Sequence, residues 1–240
     1  RKIIAHSFEM NCGKGLKESF FCFLVKTLLI LSSMCGIMIA ERRYERMKIG
    51  IFTDSHYSSH QVTEGARLNS QSLGKIKKAY EYFRNESCDL VVSLGDLIDT
   101  ESTVDKEIEN LKQIAEVIKA SAIPTVCIMG NHDAFTLTPD QYYSVLGLEQ
   151  PKSLHLNGVN LVFLDACYFK SGIHYAPGDS DWEDTFYPFA EELRAELGKY
   201  SEPTYIFLHQ SIDPDISEDH RLFNSAEMFD IIAESGVVKT

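Results

Sequence analysis

LVVSLGDLID, at residues 90–99, contains an apolar run that ends abruptly in a glycine and two carboxylates. The run, Leu90–Leu94, is short and rich in valine, which favours a strand buried on both faces. Gly95 allows the backbone to turn sharply where that strand ends, and Asp96 and Asp99 follow at once. The stretch therefore predicts a buried strand that presents carboxylates at its carboxyl end.

Three other apolar runs end in the same way, in residue types that commonly bind metals. They are Ile49–Thr53 before Asp54 and His56, Thr125–Met129 before Asn131, His132 and Asp133, and Tyr205–Leu208 before His209. In open α/β sheets the carboxyl ends of the strands form the ligand-binding crevice. We therefore expect the four strands to bring these side chains, together with Asp96, to one edge of the structure.

Amphipathic stretches separate several of the predicted strands. Apolar residues recur there at three- and four-residue spacing, as on one face of a helix. The predicted helices lie at 73–83, 108–118, Pro139–Leu146, Phe189–Leu197 and Ala226–Glu234. Asn157-Gly158, between Leu154–Leu156 and Val159–Leu164, is typical of a tight hairpin turn. The pattern predicts an α/β fold with helices partly covering both faces of the sheet structure.

The candidate ligands combine the oxygen donors of aspartate and asparagine with the nitrogen donors of histidine, and no cysteine is among them. Such a set suits Mn, Fe, Zn, Co or Ni better than a thiolate zinc site or an all-oxygen calcium site. Asp96 can bridge two cations, because a carboxylate has two oxygens. Two cations about 3.5–4 Å apart clamp a phosphoryl group and lower the pKa of a shared water, so that the resulting hydroxide attacks phosphorus. His132 can then protonate the leaving group or hold a phosphate oxygen.

Four motifs, D-x-H, G-D-x-x-D, G-N-H-D and a strand-terminal H, occur in this order behind the predicted strands. In order and spacing they resemble the calcineurin-like metallophosphoesterase superfamily, over residues 47–240. The resemblance implies a four-layer α/β/β/α sandwich of two mixed sheets flanked by helices, with two divalent or trivalent ions of Mn, Fe, Zn or Co. The implied ligand sets are Asp54, His56 and Asp96 for one metal and Asp96, Asn131 and His209 for the other. His132 would be the catalytic histidine.

Asp99 and Asp133 stand beside the candidate ligands, and we expect them to orient neighbouring side chains instead of binding a metal. The superfamily closes its site with G-H-x-H, which supplies one histidine to each metal. That motif does not occur between residues 47 and 240, although the predicted helix Ala226–Glu234 and an opening strand at Val237-Val238 lead up to its place. We expect truncation, and hence a C-terminally incomplete fold. The 240-residue chain would bind metal weakly and be nearly inactive, and extension through G-H-x-H would restore activity.

The sequence thus predicts a hydrolase of phosphoric esters whose small phosphorylated substrate is a phosphodiester, a phosphomonoester or a nucleotide pyrophosphate. Asp54-Ser55-His56 before a long first helix, and the stretch Arg67–Leu73, are similar to the branch of class III cyclic-nucleotide phosphodiesterases and ADP-ribose/CDP-alcohol diphosphatases. The alternative is a non-catalytic protein-binding module that kept the fold, as the retromer subunit of this superfamily did. The presence of the candidate ligands favours the enzyme.

The chain is acidic, with 23 Lys and Arg against 35 Asp and Glu and a formal net charge of −12 over 240 residues. Nucleic acids and anionic membranes are bound largely through Lys and Arg, so an acidic protein is a poor candidate for either. We therefore expect no nucleic acid partner. Cys88, Cys127 and Cys167 are too few for a disulfide framework and fit a reducing compartment, which favours a cytoplasmic protein.

Residues 1–46 differ from the rest of the chain, since basic side chains outnumber acidic ones there. They include the run Phe20–Ala40, which is long enough to span a bilayer and contains one charge, Lys26. Three interpretations stay open: translation that begins at Met47, a membrane anchor at 20–40, or export by a signal within 10–40. Membrane contact is expected only if the anchor is real. We divide the chain into this segment, 1–46, and a metallophosphoesterase domain, 47–240.

Overall fold

Two β-sheets organise the chain in the computed structural model, which describes residues 6–10, 47–59, 68–176 and 185–239. The first sheet has the order β1-β2-β3-β4, and its strands are β1 (His6–Met10), β2 (Met47–Phe52), β3 (Leu90–Ser93) and β4 (Thr125–Cys127). β2, β3 and β4 are parallel, whereas β1 runs antiparallel to β2. The carboxyl ends of the three parallel strands therefore share one edge of this sheet.

The second sheet has the order β5-β6-β7, and its strands are β5 (Ser153–Leu156), β6 (Val159–Phe163) and β7 (Thr204–Phe207). β5 and β6 form the predicted hairpin, in whose turn Asn157 and Gly158 have φ values of 51° and 80°. β7 is parallel to β6. Val238 pairs in parallel with Thr204, so the strand opening expected there lies beside β7.

Helices flank both sheets. Among the described residues they are α1 (Ser72–Asn85), α2 (Val104–Ser121), α3 (Asn131–Thr136), α4 (Pro139–Leu146), α5 (Ala190–Leu197) and α6 (Ser225–Ser235). α4 begins with a capping box, in which Thr138 and Gln141 satisfy each other's backbone N–H groups. Thr103 caps the start of α2, where its hydroxyl accepts a hydrogen bond from the Lys106 backbone N–H, and the left-handed Ala122 caps its end.

Three apolar cores separate the layers. The central core lies between the sheets and includes Ile49, Val92, Leu161, Phe163 and Phe207. Val91 faces the opposite way and packs with α1, α2 and α4, because successive side chains of a strand alternate between its faces. A third core packs Val162 of β6 against α5 and α6. The molecule is therefore the α/β/β/α sandwich of two mixed sheets that the resemblance implied.

The predicted strands and helices are confirmed, and their ends shift by a few residues. The strand expected at Thr125–Met129 stops at Cys127, because its neighbour β3 ends at Ser93. β1 and α3 were not predicted. The apolar run 20–40 and the rest of residues 11–46 lie outside the described residues. Within the ranges that are described, no helix is both long enough and apolar enough to cross a membrane.

Candidate metal centre

The candidate ligands meet where the carboxyl ends of β2, β3, β4 and β7 come together. Asp54 and His56 follow β2, Asp96 follows β3, Asn131 opens α3 after β4, and His209 follows β7. The structure thus brings together residues that are separated by up to about 150 positions in the sequence, as the strand-end pattern predicted.

The backbone turns sharply at three of these residues. Asp54, His56 and Asp96 have φ values of 53°, 42° and 53°, in the left-handed region. Each such non-glycine residue costs about 1–3 kcal/mol. The cost is offset by hydrogen bonds between the two loops, in which the Asp54 N–H donates to Gly95 O at 3.2 Å and the His56 N–H donates to Asp96 O at 2.9 Å. These turns direct both Asp54 and His56 towards Asp96.

Two glycines allow the loops after β3 and β4 to touch. A Cβ atom at Gly130 would lie 2.2 Å from Oδ1 of Asp96, and one at Gly95 would lie 2.5 Å from the backbone nitrogen of Gly130. Both distances are far shorter than van der Waals contact. The close approach lets the His132 N–H donate to Asp96 Oδ1 at 2.9 Å. The glycines of the G-D and G-N-H motifs are therefore needed because a larger residue would not fit, and Gly95 is also needed for its turn, where φ is 109°.

Asp96 lies at the centre of the cluster. Its Oδ2 is 3.4 Å from Nε2 of His56 and 3.3 Å from Nε2 of His209. On one side, His56 Nε2 is 3.6 Å from Asp54 Oδ1. On the other, His209 Nε2 is 3.0 Å from Asn131 Oδ1. One carboxylate is thus shared by two groups of donors, Asp54 with His56 and Asn131 with His209.

The cluster fits metal ions. His56 is 4% exposed, and neither of its ring nitrogens has a hydrogen-bond partner, a state that costs about 1–3 kcal/mol for each buried polar group. A cation beside Nε2 would relieve that cost. Donor atoms of His56, Asp96 and His132 lie within 4.8 Å of one another, as a metal site requires. The resemblance implied Asp54, His56 and Asp96 for one metal, so this trio has His132 where that set has Asp54. The contacts of Asp96 with His56 and with His209 correspond to the two implied sets.

Charges in the cluster favour a cation. Burial opposes ionisation of Asp96, but the charge of His209 holds the pKa of that carboxyl well below its usual value. Burial lowers the pKa of His209, and the charge of Asp96 overcomes this and raises the pKa to about 9. The His209 Nδ1–H donates to the backbone oxygen of Leu94 at 2.9 Å, so Nε2 faces Asp96. A metal ion bound at Nε2 would displace the proton that this pairing with Asp96 favours.

Asp99 holds His132. Its Oδ1 is 3.3 Å from His132 Nδ1 and accepts a hydrogen bond from the Thr100 N–H at 3.0 Å. Its Oδ2 accepts a hydrogen bond from Asn69 Nδ2 at 2.6 Å. Burial works against ionisation of Asp99, but the hydrogen bond and charge of His132 lower its pKa to about 2. Because Nδ1 of His132 is turned to Asp99, Nε2 is directed away from it.

Asp133 ties two loops together. Its Oδ1 accepts from the Leu97 N–H at 2.9 Å and the Ile98 N–H at 3.2 Å, and its Oδ2 accepts from the Gly130 N–H at 3.0 Å. Burial raises its pKa to about 7, and the charge of Asp96 adds to this effect. These contacts place Asp133 behind the cluster, where it fixes the loop after β3 against the start of α3.

Sequence reasoning missed two features of this edge. Asp165, which follows β6, bonds to His174, with Oδ2 3.1 Å from Nε2. Its position directly behind an apolar strand was the signal that could have found it. Glu101, two residues after Asp99, accepts hydrogen bonds from Ser58 and Asn110. No local pattern points to those contacts, because they join distant parts of the chain.

Comparisons with known proteins agree with this fold. The family profile described as calcineurin-like phosphoesterase matches residues 47–237. Among solved structures, a dimetal phosphatase from Danio rerio superposes with a TM-score of 0.64 at 16% sequence identity, covering 80% of this chain and 79% of that one. At this identity the likeness shows a shared fold. No curated protein matches the chain significantly.

Proposed function

The chain belongs to the calcineurin-like phosphoesterase family, and on that premise we propose that it hydrolyses phosphoric esters with the help of two divalent metal ions. The observation that carries the proposal is the position of Asp96, whose Oδ2 lies 3.4 Å from His56 and 3.3 Å from His209. A single carboxylate between two donor groups is the arrangement that a two-metal site needs.

Asp54 and His56 would hold one ion, Asn131 and His209 the other, and Asp96 both. Ions bound there would neutralise phosphoryl oxygens and lower the pKa of a water between them. The chain's own residues fix the donor positions. The backbone bonds from Asp54 to Gly95 and from His56 to Asp96 set one half. The bond from His209 Nδ1 to Leu94 sets the other.

His132 would act on the leaving group. Asp99 would accept a hydrogen bond from the Nδ1–H and stabilise the charged imidazole, so that Nε2 can donate its proton to the departing oxygen. Asn69 in turn holds the second oxygen of Asp99, which fixes the carboxylate plane. The site thus supplies an acid for esters whose leaving oxygen is too basic to depart unaided.

We propose a small phosphorylated substrate, in one of three classes: a phosphodiester, a phosphomonoester or a nucleotide pyrophosphate. The branch of cyclic-nucleotide phosphodiesterases and ADP-ribose/CDP-alcohol diphosphatases is the proposed place of this chain within the superfamily. The acidic composition supports a substrate whose negative charge is met by metal ions, since few basic side chains are available to do so.

The test uses the chain with its natural ends, stripped of metal and reloaded in turn with Mn, Fe, Zn and Co. One substrate of each class is assayed with the wild type and with Asp96→Asn, which keeps the shape of the side chain. We expect metal-dependent hydrolysis by the wild type and a loss of about 100-fold or more in the variant. Metal binding without hydrolysis of any of these substrates would instead support the non-catalytic binding module.

A further inference from the structure

Glu101 is the centre of a polar network next to the site, in which Glu101 itself is half-buried and its partners are buried. Its Oε1 accepts hydrogen bonds from Ser58 Oγ at 2.5 Å and from Asn110 Nδ2 at 2.9 Å. Its backbone N–H donates to Glu107 Oε1 at 2.8 Å. We call Ser58, Glu101, Glu107 and Asn110 the Glu101 brace. Both the side chain and the backbone of Glu101 are therefore fixed.

The brace has a rigid anchor. Glu107 and Asn110 lie one turn apart on α2 and are each 1% exposed, and Ser58 is fully buried. α2 is itself held by the buried side chains Leu111 and Ile114, which pack in the core under the first sheet. A long helix packed in this way moves little, so the loops bonded to it are held at a fixed distance from the sheet.

The two loops joined by the brace carry site residues. Ser58 is two positions after His56, and Glu101 is two positions after Asp99. Backbone hydrogen bonds already pair these loops up to Asp99, whose N–H donates to Tyr57 O at 3.2 Å. Asp54, His56 and Asp96 all lie within that backbone pairing, whereas the carboxylate of Asp99 lies at its end. The side chain of Glu101 continues the connection from there.

The same anchor meets the other side of His132. Thr136 closes α3, the short helix that contains His132. Burial raises the pKa of Glu107 on α2, and the neighbouring Thr136 hydroxyl lowers it. α2 thus adjoins the segment that holds Asp99 and the segment that holds His132.

We propose that Glu101 is a positioning residue, which holds Asp99 against α2 and through Asp99 sets the orientation of His132. The ligand residues are held by backbone bonds, so loss of the brace leaves metal binding intact and impairs the acid. The predicted effect on turnover rests on the proposed function. The predicted effect on the orientation of His132 rests on the geometry alone.

The turnover test compares two phosphodiesters, one with a p-nitrophenolate leaving group and one with an alkoxide leaving group. An acid matters more for the alkoxide, which is the more basic of the two. In Glu101→Ala we expect kcat to fall about 10- to 100-fold for the alkyl ester, clearly less for the p-nitrophenyl ester, and metal content to stay unchanged. Equal losses for both esters, or loss of metal, would overturn the proposal.

Matched variants distinguish a positioning role of Glu101 from a general effect on folding. Glu101→Gln keeps an oxygen that accepts from Ser58 and Asn110, so it should retain most of the activity. Glu109→Gln changes an exposed glutamate of α2 and should leave kcat and metal content unchanged. If Glu101 acts through Asp99, Glu101→Ala should add little to Asp99→Asn in a double-mutant cycle. If the effects of Glu101→Ala and Asp99→Asn on kcat are fully additive, Glu101 does not act through Asp99. Should Glu101→Ala not fold, Ser58→Ala, which removes one hydroxyl of the Glu101 brace, repeats the test.

A readout without turnover distinguishes this inference from the proposed function. The ring signals of the histidines are recorded by ¹H–¹³C NMR, and that of His132 is assigned with His132→Asn. We expect Glu101→Ala to shift or broaden the His132 signal and to leave those of His155 and His220 unchanged. An unchanged His132 signal would overturn the inference. An inactive wild type whose His132 signal responds as expected would overturn the proposed function alone.

Discussion

Nε2 of His209 lies 3.3 Å from Oδ2 of Asp96, although the two residues follow strands of different sheets. Asp96 comes after β3 in the first sheet, and His209 comes after β7 in the second. The His209 ring also donates to the backbone oxygen of Leu94. The metal centre therefore depends on how the two sheets pack on each other, and their shared core controls its geometry.

Leu161→Ala tests that dependence. Leu161 is fully buried in the core between the sheets, so its truncation should lower the free energy of unfolding by about 2–5 kcal/mol. It should also weaken metal binding, because the His209 loop moves relative to Asp96. Urea unfolding and metal titration measure the two effects. Leu154→Ala, at a 39% exposed position of β5, is the control and should cost about 0.5 kcal/mol or less. Unchanged metal affinity in Leu161→Ala would show that the geometry of the metal centre does not depend on this core.

Gly130→Ala should disrupt the site. The added methyl group would lie 2.2 Å from Asp96 Oδ1, so the loop or the carboxylate must move, at a cost of about 1–3 kcal/mol. We expect lower stability and loss of metal binding. Gly74→Ala is the matched control, since nothing lies within 4 Å of its added Cβ and alanine favours the helix by about 0.5–1 kcal/mol. A Gly130→Ala protein that binds metal normally would contradict the close approach.

Metal should stabilise the fold. The buried ring nitrogens of His56 make no hydrogen bond, and a bound ion would remove the cost of leaving them without one. At a metal concentration 100 times the dissociation constant, the expected gain is about 2.7 kcal/mol. It is measured as a rise in Tm when Mn or Zn is added to metal-stripped protein. Asp96→Asn should abolish most of the rise, and Asp165→Asn should keep it. A rise of the same size in Asp96→Asn would place the bound metal elsewhere.

His174 should make stability depend on pH. Burial lowers its pKa, but the hydrogen bond and charge of Asp165 and the backbone oxygen of Tyr175 raise it above 6.5. A pKa raised in the folded state stabilises fully below the unfolded value of about 6.5, and this contribution is lost as pH rises through the folded value. The stability difference between wild type and His174→Gln should therefore be largest below pH 6.5 and shrink above it. Urea unfolding at several pH values measures it, with the exposed His220→Gln as control. A pH-independent difference would exclude a charged His174.

The sequence predicted the strands, the longer helices and the strand-end residues because all of these depend on local patterns, whereas the four-layer arrangement came from the family resemblance. Apolar runs such as Leu90–Leu94 mark buried strands wherever their partners lie, and polar residues directly behind them must face the crevice. α3 was not predicted because its six residues are too few to show an amphipathic period. The contact between Ser58 and Glu101 joins residues 43 positions apart, and such pairs follow from the packing of whole elements. The roles assigned to the individual site residues stay predictions.

The most direct test measures phosphoester hydrolysis as metal is added stepwise to metal-stripped protein with its natural ends, while the metal content per chain is determined in parallel. We expect the rate to reach its maximum only as the second ion binds, and we expect Asp96→Asn to lose both tight metal binding and hydrolysis. A maximal rate with one ion per chain, or hydrolysis by Asp96→Asn at the wild-type rate, would contradict a two-metal centre shared through Asp96.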